Sequence, residues 1–534
     1  MRNFKKLISL VCVLVMVFSL LAGCGEKESP GTAQDPTTPQ SQKENEGSGA
    51  KQGDDNEFAE KFTYQVNILH VDEAETPLLD FYRQKFNIDF ELIPVTWSDW
   101  DQKVRLWAAS GDMPDLMWWD LKPHQYRQFK SFAEQDIFKE ISAVTDYPNL
   151  KKLADELKSD DYFMVDGKRY VWTSSRGTAH TNNLGDLGFY YRKDWAEKLG
   201  MAKDEYTWDE MLALAKAFVE KDPEGNGSGN THGVGCIGWG FPHIIAQYVF
   251  PHITGYYVEN ESYVWGAAQP QALEAVKMMK KMYDEKVIWQ DQLFAKSKDA
   301  ENKYIAGQLG VYFSNHIINH VNRIRGEIKK AHPDIDPAKA FAPMPLKTPA
   351  GKHLAFQTPD YWSAVVFSPE MSDEKFERLL TAWDWIAGEE GFDYVTKGVK
   401  GVDWDEKDGQ IVDLSDRVYS NKQLDLFRMV RLTEEYAVDN PRVDEQVRMD
   451  VKSLRDVRLD NSDTTWVEVN YDLDFFSAPN KDKYGAFDED VKEKLVDIMA
   501  KPGVDVEAEW NKFVQNTMPK AEKVIQELDE GLLK

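Results

Sequence analysis

Cysteine is scarce in this chain, with three among 534 residues. Cys12 lies within an apolar N-terminal run, Cys24 closes that run, and Cys236 stands alone far downstream. With the first removed and the second modified, no intramolecular disulfide can form. A body of this length can rely on its hydrophobic core instead. Cys236, in an apolar, glycine-rich stretch, reads as a small buried hydrophobe.

Long hydrophobic runs are also missing. The one candidate, Leu7 to Leu21, is too short to favour a membrane-spanning helix. Arg2, Lys5 and Lys6 precede it and Leu21-Ala22-Gly23-Cys24 ends it, the layout of a secretory signal peptide over residues 1–23. That ending resembles the bacterial lipobox. The resemblance implies lipidation of Cys24 and a protein held by a lipid anchor at the extracellular face of the cytoplasmic membrane.

Residues 24–57 lack every aromatic residue and all Val, Ile and Leu. Such a composition cannot offset the entropy of folding, so a disordered tether is expected there. Its root-mean-square reach would be roughly 30 Å. Its role is reach rather than recognition.

Positive charge is in deficit. There are 64 Lys and Arg against 91 Asp and Glu, a formal charge of −27. Loss of Arg2, Lys5 and Lys6 with the signal peptide takes this to −30. An acidic surface argues against nucleic acid as a partner and against lying flat on anionic lipid.

Catalytic signatures are absent as well. No Gly-x-Ser-x-Gly, His-Glu-x-x-His or phosphate-cradling loop occurs. Gly233-Val-Gly235-Cys-Ile-Gly238 matches Gly-x-Gly-x-x-Gly, but it follows a polar loop, and Phe241-Pro242 stands where its helix should begin. His316 and His320 have helical spacing with no acid arranged to activate water, and read as structural. No organic cofactor is expected. A glycosidase would need two carboxylates about 5–10 Å apart, and so acidic a sequence neither excludes nor locates such a pair.

What is present is an α/β alternation. Phe62–His70 reads as a strand, Thr76-Pro77 opens a helix, and Ile88–Val95 is the next strand. A short helix over 102–110 stops at Gly111, and 115–119 is a third strand. This opening predicts a mostly parallel sheet. Thr207-Trp208-Asp209-Glu210 is a capping box. Further helices begin at Pro270 and Ser372, and the last runs over 505–528. The 58–534 body is long for one core and suggests two lobes.

Gly111-Asp112-Met113-Pro114-Asp115-Leu116, Tyr191-Arg192-Lys193-Asp194-Trp195 through Leu199-Gly200, and Tyr206-Thr207-Trp208-Asp209-Glu210 together resemble the extracellular solute-binding proteins of carbohydrate ABC importers. The likeness extends over nearly all the body and is nearest to the large Paenibacillus-type lipoproteins. It implies a periplasmic-binding-protein-like type II fold: two α/β lobes joined by a hinge around a ligand cleft. The expected partition is lobe one at 58–172 with 300–367 and lobe two at 173–299 with 368–534. Hinge strands are expected near Trp172 and Val365-Val366-Phe367. The expected partners are a carbohydrate and the transmembrane subunits of an ABC permease, with the protein itself a monomer.

Seventeen tryptophans is a high count, and indole offers sugars an apolar face. The candidate ligand residues are Trp97, Trp118, Trp119, Asp120, Trp239, Trp362 and Trp404, with His70, Asp72 and Glu73 ending the first strand. Arg176, His180 and Asn182 lie in a glycine-containing loop. Trp404 occupies a stretch that resembles a ligand-facing loop of the family. Trp383, Trp385 and Trp510 sit in helices and read as packing residues.

One loop has metal character. Asp222, Glu224, Asn226, Ser228 and Asn230 fall at positions 1, 3, 5, 7 and 9 of an EF-hand-like spacing, with Gly227 at position 6. Position 9 is Asn, and position 12 is Gly233 instead of glutamate. A structural calcium ion is the expectation, and a polar turn without metal is the alternative. For the whole protein, capture of an oligosaccharide and delivery to an importer is the reading. A membrane-anchored glycan hydrolase, or a peptide-binding or adhesion lipoprotein, stays open.

Overall fold

The computed structural model describes residues 58–176, 187–238, 243–296, 298–417, 419–432, 438, 440–459 and 462–534. Two sheets organise this body. Their strands are β1 (Phe62–Ile68), β2 (Ile88–Pro94), β3 (Leu116–Trp119), β4 (Trp172–Ser175), β5 (Leu187–Tyr191), β6 (His232–Cys236), β7 (Leu309–Asn315), β8 (Ala342–Pro343) and β9 (Tyr361–Phe367). The first sheet has the order β2-β1-β3-β9-β4 and the second β8-β5-β7-β6. β1 pairs in parallel with both β2 and β3, as the opening predicts. β9 runs antiparallel to β3 and β4.

Local sequence explains the helices. Pro77 opens Pro77–Phe86, which buries Leu78, Leu79, Tyr82 and Phe86 on one face. Gly111 ends Trp100–Ser110 in the left-handed region (φ 76°), where glycine carries no steric penalty. Thr207 and Glu210 form both halves of the capping box of Trp208–Lys221. Ser372 and Asp505 cap Asp373–Ala387 and Val506–Leu532 with side-chain hydrogen bonds. Cys236 is fully buried. The glycine-rich run at 233–238 lies largely in β6 and so opens no helix.

Each sheet has its own core. Beneath the first, Val66, Ile68, Trp118 and Val365 pack with Phe376, Leu379, Trp383 and Phe427. The second sheet is covered on both faces, as period-two alternation requires. Phe189, Val311 and Phe313 join Met279, Trp510 and Val524, whereas Tyr190 and Tyr312 join Ile324, Val447 and Leu454.

These cores redraw the lobe boundaries. Residues 300–367 do not belong wholly to lobe one, because β7 and β8 are strands of the second sheet. Nor does 368–534 belong wholly to lobe two, since Asp373–Ala387, Glu389–Lys397 and Asp425–Arg428 pack beneath the first. Lobe one is thus 58–176 with 357–432, and lobe two is 187–356 with 440–534.

The expected hinge positions also move. Trp172 and Val365–Phe367 are buried within sheet one, and Trp172 Nε1 donates to the Val430 carbonyl at 3.0 Å. The chain passes between lobes after β4, between β8 and β9, and after Leu432. The helix Tyr471–Phe475 belongs to both lobes: Phe475 packs into the first core, while Leu473 and the following Phe476 pack against the second.

Candidate ligand cleft

In sheet one the chain leaves β1 for β2 on one side and returns to β3 on the other. The carboxyl ends of β1 and β3 therefore flank a topological switch point, where ligands of open α/β sheets sit. His70 follows β1, Trp97 follows β2, Asp120 follows β3, and Trp362 lies at the start of antiparallel β9.

The structure brings part of the tryptophan set together. Trp97 and Trp362 rings lie 6.1 Å apart, Trp362 and Trp118 5.4 Å, and Trp118 and Trp100 4.9 Å. Trp100 and Trp118 are buried, Trp362 is half-buried, and Trp97 is 63% exposed. The result is an aromatic ladder rising from the core to solvent. Ser363 Oγ accepts from Trp118 Nε1 at 2.7 Å and fixes its ring. The Arg428 guanidinium sits 4.4 Å from the Trp362 centroid. The side chain of Asp425, wholly buried, lies 2.9 Å from His70 Nδ1 and 3.4 Å from Arg428. His70, Trp97 and Trp362 thus share one wall, with Trp118 as its support.

The remaining candidates fall elsewhere. Trp119 points to the opposite face, fully buried, and donates to Asp101 at 3.0 Å. Asp72 is exposed; Glu73 is exposed and pairs with Lys422 at 2.7 Å. Asp120 pairs with Lys122 at 2.7 Å. Arg176 continues β4 and donates its backbone N–H to the Asp360 carbonyl at 2.7 Å. Cys24, His180, Asn182 and Trp239 lie outside the described residues, as do the signal peptide and tether.

Trp404 is not a ligand-facing side chain. It is 7% exposed, and its Nε1 donates to the Gly398 carbonyl at 2.9 Å. The loop before it is closed by Asp403, which accepts from Val399 N–H at 2.8 Å, Ser415 Oγ at 2.9 Å and Arg417 Nε at 2.8 Å. Burial alone would raise this carboxyl; the hydrogen bonds prevail and hold it below the usual carboxylate range.

A cavity of about 1100 Å³ lies between the lobes. Lobe one supplies the loop after β3, Pro123 to Arg127, together with Tyr162. Lobe two supplies Gln247 and the 251–258 segment, and Tyr471–Phe475 crosses between them. His252 stacks on Tyr257 with centroids 4.5 Å apart. Tyr162 donates to Asp472 at 2.5 Å, a bond that with burial pushes its phenol up to about 12. Asp474 is pushed up to about 6 by burial, opposed by Lys481. Burial pushes His252 below the ordinary imidazole value.

Among the described residues, none of those selected from sequence lines this cavity. Its aromatics are mostly tyrosines, Tyr126, Tyr162, Tyr256, Tyr257 and Tyr471, from four separate chain segments. A signal was present in Tyr471-Asp472-Leu473-Asp474-Phe475-Phe476, where aromatic and carboxylate side chains interleave.

A scan of family models matches residues 70–413 to the bacterial extracellular solute-binding proteins. The chain belongs to this family. Lipoprotein LipO of Bacillus subtilis (strain 168) is 27% identical over 365 residues, 65% of this chain and 69% of that protein. The polygalacturonan/rhamnogalacturonan-binding protein YtcQ of the same strain is 22% identical over 354 residues, 65% and 67% of the two chains. Among solved structures, the alginate-binding protein AlgQ2 without calcium ion superposes with a TM-score of 0.62 at 16% identity, covering 89% of this chain and 98% of that one. The Streptococcus pneumoniae substrate-binding protein FusA with kestose gives 0.61 at 15%, covering 88% and 99%. The fold is the type II periplasmic-binding-protein fold. Of these relatives, YtcQ and AlgQ2 are named as polysaccharide-binding proteins and FusA as an ABC-transporter substrate-binding protein.

The loop at 222–230 divides its expected ligands. Asp222 accepts from the N–H groups of Asn226 at 3.0 Å and Gly227 at 2.8 Å, and from Thr231 Oγ1 at 2.5 Å. Asn226 donates to the Gly307 carbonyl at 2.8 Å, and Asn230 to the Asn226 carbonyl at 3.0 Å. Ser228 is exposed. Glu224 instead receives Arg192 at 3.0 Å and Trp195 Nε1 at 2.6 Å. It therefore does not fit the predicted ligand set, and among the described residues no three His, Cys, Asp or Glu side chains gather as a metal site. His316 and His320 are largely buried, and His320 contacts Ser314 Oγ at 2.8 Å, consistent with packing roles.

Proposed function

We propose that this protein captures an oligosaccharide between its lobes and delivers it to an ABC importer without chemically altering it. The cavity carries the reading. It draws its walls from both lobes, so a ligand filling it would contact both and favour the closed form. A ligand shifts such an equilibrium only by its preference for closed over open. The cavity's aromatic side chains would stack on a sugar face, and its carboxylates and amides would accept from and donate to hydroxyls.

The chain would be tethered through lipid on Cys24 at the extracellular face of the membrane and would act as a monomer. Among the described residues no helix is long and apolar enough to cross a membrane. Mass spectrometry of the exported protein tests the anchor: a diacylglyceryl mass on an N-terminal Cys24 peptide is expected, and an unmodified Cys24 would contradict it.

Binding is tested by isothermal calorimetry against an oligosaccharide panel, with a reducing-end assay on each mixture. One-to-one binding without new reducing ends is the expected result. New reducing ends would favour a hydrolase in which Asp474, whose carboxyl is already pushed up, serves as the acid.

For the 222–230 loop we infer a weak structural cation site. Its oxygens would come from Asp222, Asn226, Asn230 and the Ser228 carbonyl, without Glu224. One neighbouring FusA structure is described as an EF-hand mutant and the AlgQ2 structure as lacking calcium ion, which supports a cation loop in this fold.

A further inference from the structure

Resting on the carbohydrate reading above, we propose that the 1100 Å³ cavity takes uncharged sugar units and rejects uronates. Among the described residues, five carboxylates line it, from Glu468, Asp472, Asp474, Asp482 and Asp488, against two cations, Arg127 and Lys481. Each cation already faces an acidic or carbonyl oxygen. Arg127 lies 3.5 Å from Asp482, and Lys481 donates to the carbonyls of Asp474 at 3.3 Å and Phe476 at 2.7 Å. An anionic ligand would therefore meet a wall of excess negative charge. A neutral sugar meets the opposite situation, since a carboxylate can accept from hydroxyls of one ring through both of its oxygens.

One observation marks the cavity as a ligand site apart from its charge. The stacked pair of His252 and Tyr257, both half-buried, lines it, and an outer ring face of such a pair can stack on a sugar. Burial keeps His252 below its ordinary imidazole value, so it adds no cation at neutral pH.

The test is calorimetry of the purified protein with neutral tetrasaccharides (gluco-, manno-, xylo- and fructo-) and with tetragalacturonate, repeated on Tyr257→Ala, His252→Ala and the double variant Asp472→Asn/Asp482→Asn. A circular-dichroism melt on each variant identifies any that fail to fold. The proposal expects at least one neutral tetrasaccharide to bind tenfold or more tighter than tetragalacturonate. It expects Tyr257→Ala or His252→Ala, whichever folds, to weaken that binding about tenfold, and the double variant to narrow the gap to tetragalacturonate. Equal or tighter binding of tetragalacturonate by the unaltered protein would overturn the charge selection while leaving sugar transport intact. Neutral binding unmoved by folded Tyr257→Ala and His252→Ala would overturn the placement of the site. Binding of no sugar of either kind would overturn the carbohydrate reading on which the proposal rests.

Discussion

At the scale of single residues, burial and hydrogen bonding decide which side chains are free to act. Trp404 and Trp97 each have an aspartate within two residues, yet one is sealed against the Gly398 carbonyl and the other stands 63% exposed. Nothing in the local sequence separates them, because the partner that seals Trp404 is a carbonyl oriented by Asp403. Asp474 yields a pH prediction. Its carboxyl sits at about 6 when folded, against 3.8 as its ordinary value, because burial disfavours the charge. The folded state therefore holds the proton more tightly than the unfolded chain. The favourable contribution is complete below pH 3.8 and is lost as pH rises through 6. Asp474→Asn should make the protein more stable at pH 8 by about 1–2 kcal/mol, discounted for partial exposure. That advantage should vanish near pH 4. Urea denaturation at the two pH values measures it, and an equal difference at both would remove the argument.

Elements with strong local signals were the most legible from sequence. Pro77, Gly111, the Thr207–Glu210 box and Ser372 each mark a helix boundary within a residue or two of its place, since caps depend on a few adjacent residues. The helix Tyr471–Phe475 was not anticipated. Its five residues show no period, and its reason for existing is tertiary: Tyr471 donates to Asp360 Oδ1 and accepts the Asp360 N–H, each at 2.8 Å. Phe475 stacks on Tyr162 with centroids 5.1 Å apart. Tyr471→Phe leaves the N–H of a residue 3% exposed without that acceptor, so a loss of about 1–3 kcal/mol of stability is expected. A thermal melt indistinguishable from that of the unaltered protein would show that the strut is held by packing alone. The 222–230 loop makes a second prediction at this scale. With one carboxylate among its ligands, calcium should raise the melting temperature only at concentrations of about 0.1–1 mM or above. Asp222→Ala should abolish the rise. A response at micromolar calcium would mean that Glu224 has left Arg192 to join the ion.

For the molecule as a whole, sequence conveyed two lobes and a cleft but misplaced the boundaries. The reason is that lobe membership is set by strand pairing across long separations. β7 is an apolar run that would suit either sheet, and only its pairing with β5 and β6 assigns it to the second. The helices at 373–428 return to the first sheet for the same reason, as Phe376 and Trp383 fill space beneath Phe367. The cavity did not depend on these errors, since its walls at 123–127 and 162 and at 247–258 and 467–488 face each other from different lobes in either partition. The chain crosses between lobes after β4, before β9 and after Leu432, and the proposed capture would open and close the cavity by rocking about those crossings.

Closure around sugar is the central claim, and small-angle X-ray scattering during titration with the tightest-binding oligosaccharide tests it most directly. The radius of gyration should fall by on the order of 1 Å, as expected for hinge closure of two lobes, and the change should saturate at one equivalent of ligand. Stoichiometric binding with an unchanged radius of gyration would contradict capture by lobe closure.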